Sequence, residues 1–462
     1  MPGAATTLPR GATARALAGS PRAVLVVMCA GYFLVLLDVT IVNVALPTIA
    51  SGLGASVSGL QWVVDGYALA LASLMLAGGT VGDLRGHKRV VMGGLLVFGA
   101  GSLGCGLAPS VAALVAARVV QGVGAAALLP GTLAIISHAF PEGREQARAI
   151  GVWAGIGSLA LPAGPLAGSA LITAFGWRAI FLVNAPIVAL ALAATARVVR
   201  ESTDPQGREL DRGGAALGAA FLAAATFAFI EGGRSGAGSP AVIAAAAAAA
   251  ILASFIALER RRGARAMLPL ALLRRRTFAI ANAGAGTMNL CTLGTLFVLT
   301  LYLQDVQDRS AIAAGAALVP LFAPLAVIAP LGGRLVSRVG ARMPMAVGLA
   351  VAAAGLALLA LAEADSPYLL LLPAFLLWGS GLGLLTPAVV AAAIAAVPAD
   401  RAGLASGINN TARQAGGAIG IAISGAVAGS PAAAGFLAGF HGVALGAAAL
   451  YALVAAIAIR AL

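Results

Sequence analysis

Residues 37–47 read LDVTIVNVALP, and ten of these eleven residues suit an apolar helix or its end. The eleventh is Asp38. It falls near the middle of an apolar run that starts after Arg22. About 20 apolar residues span the ~30 Å hydrocarbon core of a bilayer as a helix. A charged carboxylate at the centre of such a helix costs at least ~2.5–3.5 kcal/mol. Proton uptake removes that charge, so an intramembrane acid is a functional candidate by default. The bland alternative is a carboxylate held by a polar neighbour such as Asn43.

The rest of the chain repeats the apolar pattern. Its 462 residues are 61% hydrophobic and 10% charged, with mean hydropathy +1.00. A soluble protein is nearer half apolar and a quarter charged. The pattern predicts an all-α polytopic membrane protein with about 14 spans: 23–45, 59–80, 90–107, 110–135, 148–172, 178–196, 213–231, 240–258, 278–303, 312–333, 344–362, 368–394, 403–428 and 437–459. Arg10, Arg15 and Arg22 ahead of an apolar run look like the start of a signal peptide. The run continues too far and many spans follow, so it reads as a retained first helix.

Charge sets the orientation. With the N-terminus in the cytoplasm, 24 of the 29 basic residues fall on inner segments and only Arg178, Arg234 and Arg309 on outer ones. Arg118 and Arg413 lie within spans. This is the positive-inside asymmetry. It accounts for the basic excess without nucleic acid, and it places both termini in the cytoplasm. Of the 29 basic residues, only Lys88 is lysine. With the Ala and Gly content, that points to a GC-rich bacterial genome and hence to a bacterial cytoplasmic membrane.

Several chemistries are missing. A phosphate loop needs Gly-Lys-Ser/Thr, and Lys88 is flanked by His87 and Arg89. Cys29, Cys105 and Cys291 lie apart in separate apolar runs and suggest neither a disulfide nor a metal site. His87, His138 and His441 form no metal spacing. No loop is long enough for a soluble catalytic domain. The expectation is a transporter rather than an enzyme, with no metal or cofactor.

The chain also repeats itself. Gly79–Lys88 reads GTVGDLRGHK and Gly333–Arg342 reads GRLVSRVGAR, 254 residues apart. Two related halves with a site between them are the usual build of secondary transporters. The expected division is an N-terminal tail (1–22), a six-helix bundle (23–196), a linker with two extra helices (197–277) and a second six-helix bundle (278–462).

Four stretches carry a family resemblance: LDVTIVNVALP in the first span, GGTVGDLRGHKR at 78–89, LVAARVVQGVGAAA at 114–127, and GIGSLALPAGPLAG at 155–168 followed by WRAIFLVNAP at 177–186. In order and position they resemble the major facilitator superfamily, specifically its 14-helix drug:proton antiporters of the EmrB/QacA type. Three positions depart from the family pattern: Leu84 follows Asp83 where Arg is usual, Ser169 follows Gly168 where Gly is usual, and Ser337 stands in the second copy where Asp83 stands in the first.

The resemblance implies export of lipophilic, preferentially cationic drugs or antibiotics, driven by a proton gradient. The other readings are an exporter of a specific metabolite or lipid, an uncoupled facilitator, and a non-transporting sensor. A monomer is expected, with the bilayer, protons and a small lipophilic substrate as partners. Asp38, Asp65 and Arg118 are the proton-coupling candidates, because an arginine inside a span needs an acidic partner. Asn43, Gln61, Gln121 and Asn289 are substrate-cavity candidates. Asp83, Arg85, Lys88 and Arg89 form a candidate conformational gate. Gly155, Gly164, Pro165 and Gly168 form the antiporter motif, where small residues permit close helix approach and proline permits a bend.

Overall fold

In the computed structural model, residues 20–140, 144–202, 211–235, 239–263, 266, 268–397 and 402–461 are described. Among them every regular element is helical. The first half comprises α1 (Pro21–Leu53), α2 (Val57–Arg85), α3 (His87–Gly106), α4 (Val111–Ala139), α5 (Arg144–Phe175), a short α6 (Ala179–Leu182) and α7 (Asn184–Val198). An intervening pair follows, α8 (Arg212–Ser235) and α9 (Ser239–Arg262). The second half comprises a short α10 (Leu270–Leu273), α11 (Arg276–Leu301) prolonged by a π-helical turn (Tyr302–Val306), α12 (Ala311–Ala317), α13 (Val319–Val339), α14 (Arg342–Leu359), α15 (Tyr368–Ala395), α16 (Ala402–Ala428) and α17 (Phe436–Ala461).

Among the described residues, twelve helices or continuous helix pairs are long and apolar enough to cross a membrane. Two more, α5 and α16, run to 32 and 27 residues. Asn409, Asn410, Arg413 and Gln414 lower the apolarity of α16. Serines start several of these helices. The hydroxyls of Ser20, Ser56, Ser110 and Ser310 accept from the backbone N–H three residues on, at 3.2–3.3 Å, satisfying an otherwise orphaned donor. The expected span 312–333 is broken at Leu318, and Pro320 in the first turn of α13 has no N–H to continue the ladder from α12.

The 254-residue repeat is visible in the backbone. Gly86 ends α2 with φ 101°, and Gly340 ends α13 with φ 80°. Both tight turns need the left-handed region that glycine enters at little cost. The halves also pack reciprocally. The second helix of the first half, α2, lies on α16, the fifth of the second; α5 lies on α12 and α13. In the intervening pair, α8 leans on both α2 and α16. At its base, buried Asp211 accepts from Gly214 N at 2.6 Å and from Arg262, while Glu259 accepts from Leu268 N at 2.6 Å.

The apolar cores differ between the two ends. At the end away from the basic loops, one cluster joins the halves, with Ile41–Ile49 and Leu60–Val64 packed with Leu296–Leu303. Towards the basic loops the clusters separate, one built from α1–α5 and α7, the other from α10, α11, α15 and α16. Polar clasps reinforce the joined end. Gln61 Nε2 donates to Ala422 O at 3.0 Å, and Gln304 Nε2 donates to Val44 O at 3.1 Å.

Candidate functional site

Asp38 lies 17 residues into α1, about 25 Å along the helix at 1.5 Å per residue. Its carboxylate is buried, at 1% exposure. It forms an ion pair with Arg118 of α4. Arg118 Nη1 also donates to Gln121 Oε1 at 2.7 Å, and Gln121 Nε2 donates to Asp38 Oδ1 at 2.8 Å. Arg118 and Gln121 are three residues apart and share a helical face, so one helix supplies both partners of the acid.

Two further side chains close the network. Ser102 of α3 accepts from Gln121 Nε2 at 2.7 Å and from Asn184 Nδ2 at 2.8 Å. Asn184, the first residue of α7, also reaches Asp38 Oδ1 at 3.4 Å. The guanidinium of Arg118 donates through Nε to Val63 O at 3.0 Å and sits 4.2 Å from the ring centre of Tyr67. Five helices thus hold one buried ion pair with its polar groups satisfied. Charges out of water are tolerated only in such company. Ser102 and Asn184 were not among the expected site residues. Asn184 lies in the quoted WRAIFLVNAP stretch, and an amide in an apolar span was its signal.

Asn43 does not hold Asp38. Its amide turns back to Val39 O at 3.0 Å. The five-residue spacing puts the two side chains on different faces, whereas three or four would align them. Asn43 instead lines a small cavity between the halves together with Val39, Tyr67, Arg118, Leu293 and Gln414. Asn289 adjoins that lining, 3.5 Å from Gln414 Oε1. Gln121 is taken up by the ion-pair network. Gln61 serves the clasp at the joined end.

Asp65 is the contrasting acid. It is fully buried in α2, and neither carboxylate oxygen has a hydrogen-bond partner. It does not join the Asp38 network. Two of the expected gate residues, Lys88 and Arg89, dock on their own half. Lys88 N donates to Glu201 Oε1 at 2.9 Å, Lys88 Nζ donates to Ala196 O at 2.8 Å, and Arg89 Nε lies 3.6 Å from Glu201 Oε2. Arg85 is exposed. The side chain of Asp83 lies outside the described residues. Glu201 is a partner the sequence did not single out.

The motif in α5 packs α1 closely at two of its glycines. A Cβ on Gly164 would collide with the Thr40 hydroxyl and stand 2.9 Å from Thr40 Cβ, and one on Gly168 would stand 2.7 Å from Ile41 Cγ1. Gly155 faces open space. Ser169, where the family pattern has glycine, turns its hydroxyl onto Pro165 O. Across the half-to-half contact, Gly315 admits that same carbonyl, which a Cβ would approach to 2.6 Å.

Known proteins resemble this chain in sequence and in fold. A family model described as Major Facilitator Superfamily matches residues 28–421. The multidrug resistance protein Stp of Mycobacterium tuberculosis is 40% identical over 391 residues, covering 84% of this chain and 72% of that protein. The tetracenomycin C resistance and export protein of Streptomyces glaucescens is 32% identical over 408 residues, covering 88% and 76%. A crystal structure of a POT family transporter in complex with 5-aminolevulinic acid superposes with TM-score 0.70 at 13% identity, covering 96% of this chain and 98% of that one. At that identity the likeness concerns the fold alone.

Proposed function

The chain belongs to the Major Facilitator Superfamily, and on that premise we propose that it exports lipophilic drugs or antibiotics in exchange for protons. Relatives that carry drug resistance and export in their names support the export reading. The observation that carries proton coupling is the unequal state of Asp38 and Asp65, the two buried acids in the spans of the first half. Asp38 has a counter-charge and several donors; Asp65 has neither. An ionised carboxylate without partners in the membrane interior is expensive, so Asp65 holds a proton in this state. A proton arriving at Asp38 would cancel its charge and leave Arg118 uncompensated. Breaking a buried pair in this way costs about 3–5 kcal/mol. A rearrangement that re-pairs or rehydrates Arg118 relieves that cost, and this links proton loading to a change of state.

Taking α5 and α16 as membrane-crossing gives 14 helices, the EmrB/QacA type. By the positive-inside rule the basic end faces the cytoplasm, with both termini there, in a bacterial cytoplasmic membrane. The joined apolar core then closes the outer side, and this conformation faces inward. The chain works as a monomer, with the proton gradient as its energy source and no cofactor. A potential of 100 mV supplies about 2.3 kcal/mol per charge, which supports roughly 50-fold accumulation per proton by the tenfold-per-1.4 kcal/mol rule.

The test uses everted membrane vesicles and a panel of lipophilic drugs. Imposing an inside-acidic gradient should drive accumulation of at least one compound, and collapsing it with a protonophore should abolish that accumulation. Equal accumulation with and without the gradient would replace exchange with facilitated diffusion.

A further inference from the structure

Arg413 is the second arginine within a helix expected to cross the membrane, and nothing above gives it a role. It lies 11 residues into α16. Asn410, Arg413, Gln414 and Gly417 follow the three- and four-residue spacing of one helical face. That face meets the first half. Asn410 Nδ2 approaches Met75 Sδ of α2 at 3.4 Å, and Gln414 lines the cavity between the halves. Nε of Arg413 is sealed from solvent and has no hydrogen-bond partner. Among the described residues, no carboxylate pairs with this guanidinium. Met75 itself belongs to the first-half apolar cluster against which Tyr32 of α1 and Trp153 of α5 pack.

Tyr32 lies two turns towards the basic end from the cavity residue Val39. Its ring stacks on Trp153 of α5, with centroids 3.8 Å apart and planes within 16°. The indole Nε1 of Trp153 is also buried without an acceptor. Elements from both halves therefore converge with an unpaired guanidinium, an unused indole N–H and a stacked aromatic face. Every polar group in this set can donate, and the two nitrogens can only donate. A buried donor without an acceptor costs about 1–3 kcal/mol, and a planar guanidinium matches an oxyanion bidentately.

We infer that Arg413, Trp153 and Tyr32 form a subsite for the acidic group of an aromatic, anionic substrate, beside the central cavity on its basic side. This rests on the export reading and gives it a substrate class. It also departs from the cationic preference expected from the sequence. The charge of Asp38 is taken up by Arg118, Asp65 does not line the cavity, and the uncompensated charge that faces the other half is positive.

The test is equilibrium dialysis of the purified full chain in uncharged detergent, with protein-free micelles subtracted. The probes are naphthalene-2-sulfonate and 2-naphthyltrimethylammonium, the same ring with opposite fixed charges. The native chain should bind the sulfonate at least tenfold more tightly than the ammonium. Arg413→Gln should lose at least tenfold in sulfonate affinity, and Arg413→Lys should lose less. Should Arg413→Gln fail to elute as a folded, monodisperse species, Trp153→Phe keeps the ring and removes only the N–H; it should weaken the sulfonate about threefold.

Preference for the ammonium, no sulfonate binding by the native chain, or affinity indifferent to these substitutions would overturn the inference. Loss of sulfonate binding when phosphatidylglycerol is added would assign the donors to a lipid headgroup and also overturn it. Gradient-driven drug accumulation is read separately. A chain that accumulates drug but shows no sulfonate preference breaks this inference alone. A chain that binds the sulfonate but accumulates nothing breaks the export reading instead.

Discussion

Two arginines, Arg118 and Arg413, fall within the expected spans and away from the basic loops, and they are provided for in opposite ways. Arg118 in the first half is fully buried, ion-paired to Asp38, bonded to Gln121 and Val63, and covered by the ring of Tyr67. Arg413 in the second half has an unpartnered Nε and, among the described residues, no carboxylate partner. The two buried acids in the spans of the first half repeat the contrast, with Asp38 paired and Asp65 bare. A paired charge in a membrane helix is part of the structure until something breaks the pair. An unpaired one is a place where a proton or a ligand is to be expected.

The largest effect should come from breaking the paired side. Arg118→Gln leaves Asp38 buried without its counter-ion and should destabilise the protein by about 3–5 kcal/mol, read as a lowered melting temperature in detergent. Arg413→Gln removes an uncompensated charge, so its melting temperature should equal or exceed that of the native chain. An equal loss in both variants would dissolve the comparison.

Close packing comes next. Gly164→Val drives a branched side chain into Thr40 of α1, and overpacking of this kind costs about 1–3 kcal/mol. Gly155→Val faces open space and should cost almost nothing, so paired melts of the two variants separate a packing role from a sequence pattern. A smaller effect follows from Asn184→Ala, which strips donors from Ser102 and Asp38. It should cost about 1 kcal/mol in the same melts. In the double variant with Asp38→Asn the loss should be less than additive, because the two sites touch. The smallest change in stability belongs to Asp65→Asn, which removes an acid that no group stabilises. Its melt should match or exceed the native one while gradient-driven accumulation falls. A marked loss of stability would show that Asp65 has a partner in the membrane.

Much of the fold was legible in the sequence because membrane helices announce themselves one at a time. Each apolar run is long enough to read alone, and the basic loops alternate with it. The repeat around Gly86 and Gly340 was legible because a tight turn after the second helix of each half imposes the same local chemistry. The core of the site was legible for a related reason. Asp38, Arg118 and Gln121 are conspicuous in apolar surroundings, and a buried arginine needs an acid. The choice of neutral partners was not legible. Ser102 and Asn184 come from helices 64 and 146 residues away from Asp38 in the chain, and only helix crossing brings them in. Asn43 was close in sequence but on the wrong face. The meeting of Tyr32, Trp153 and Arg413 depends on packing between the two halves, which no local pattern encodes.

The central claim is that proton loading at Asp38 competes with Arg118 and drives the exchange. Its most direct test is drug-evoked proton release from proteoliposomes, comparing the native chain with an Asp38→Asn variant that still folds. The account predicts release from the native chain and none from the variant, with drug accumulation in the variant no longer following the gradient. Normal proton release by the Asp38→Asn variant would contradict it, leaving the Asp38–Arg118 pair as structure alone.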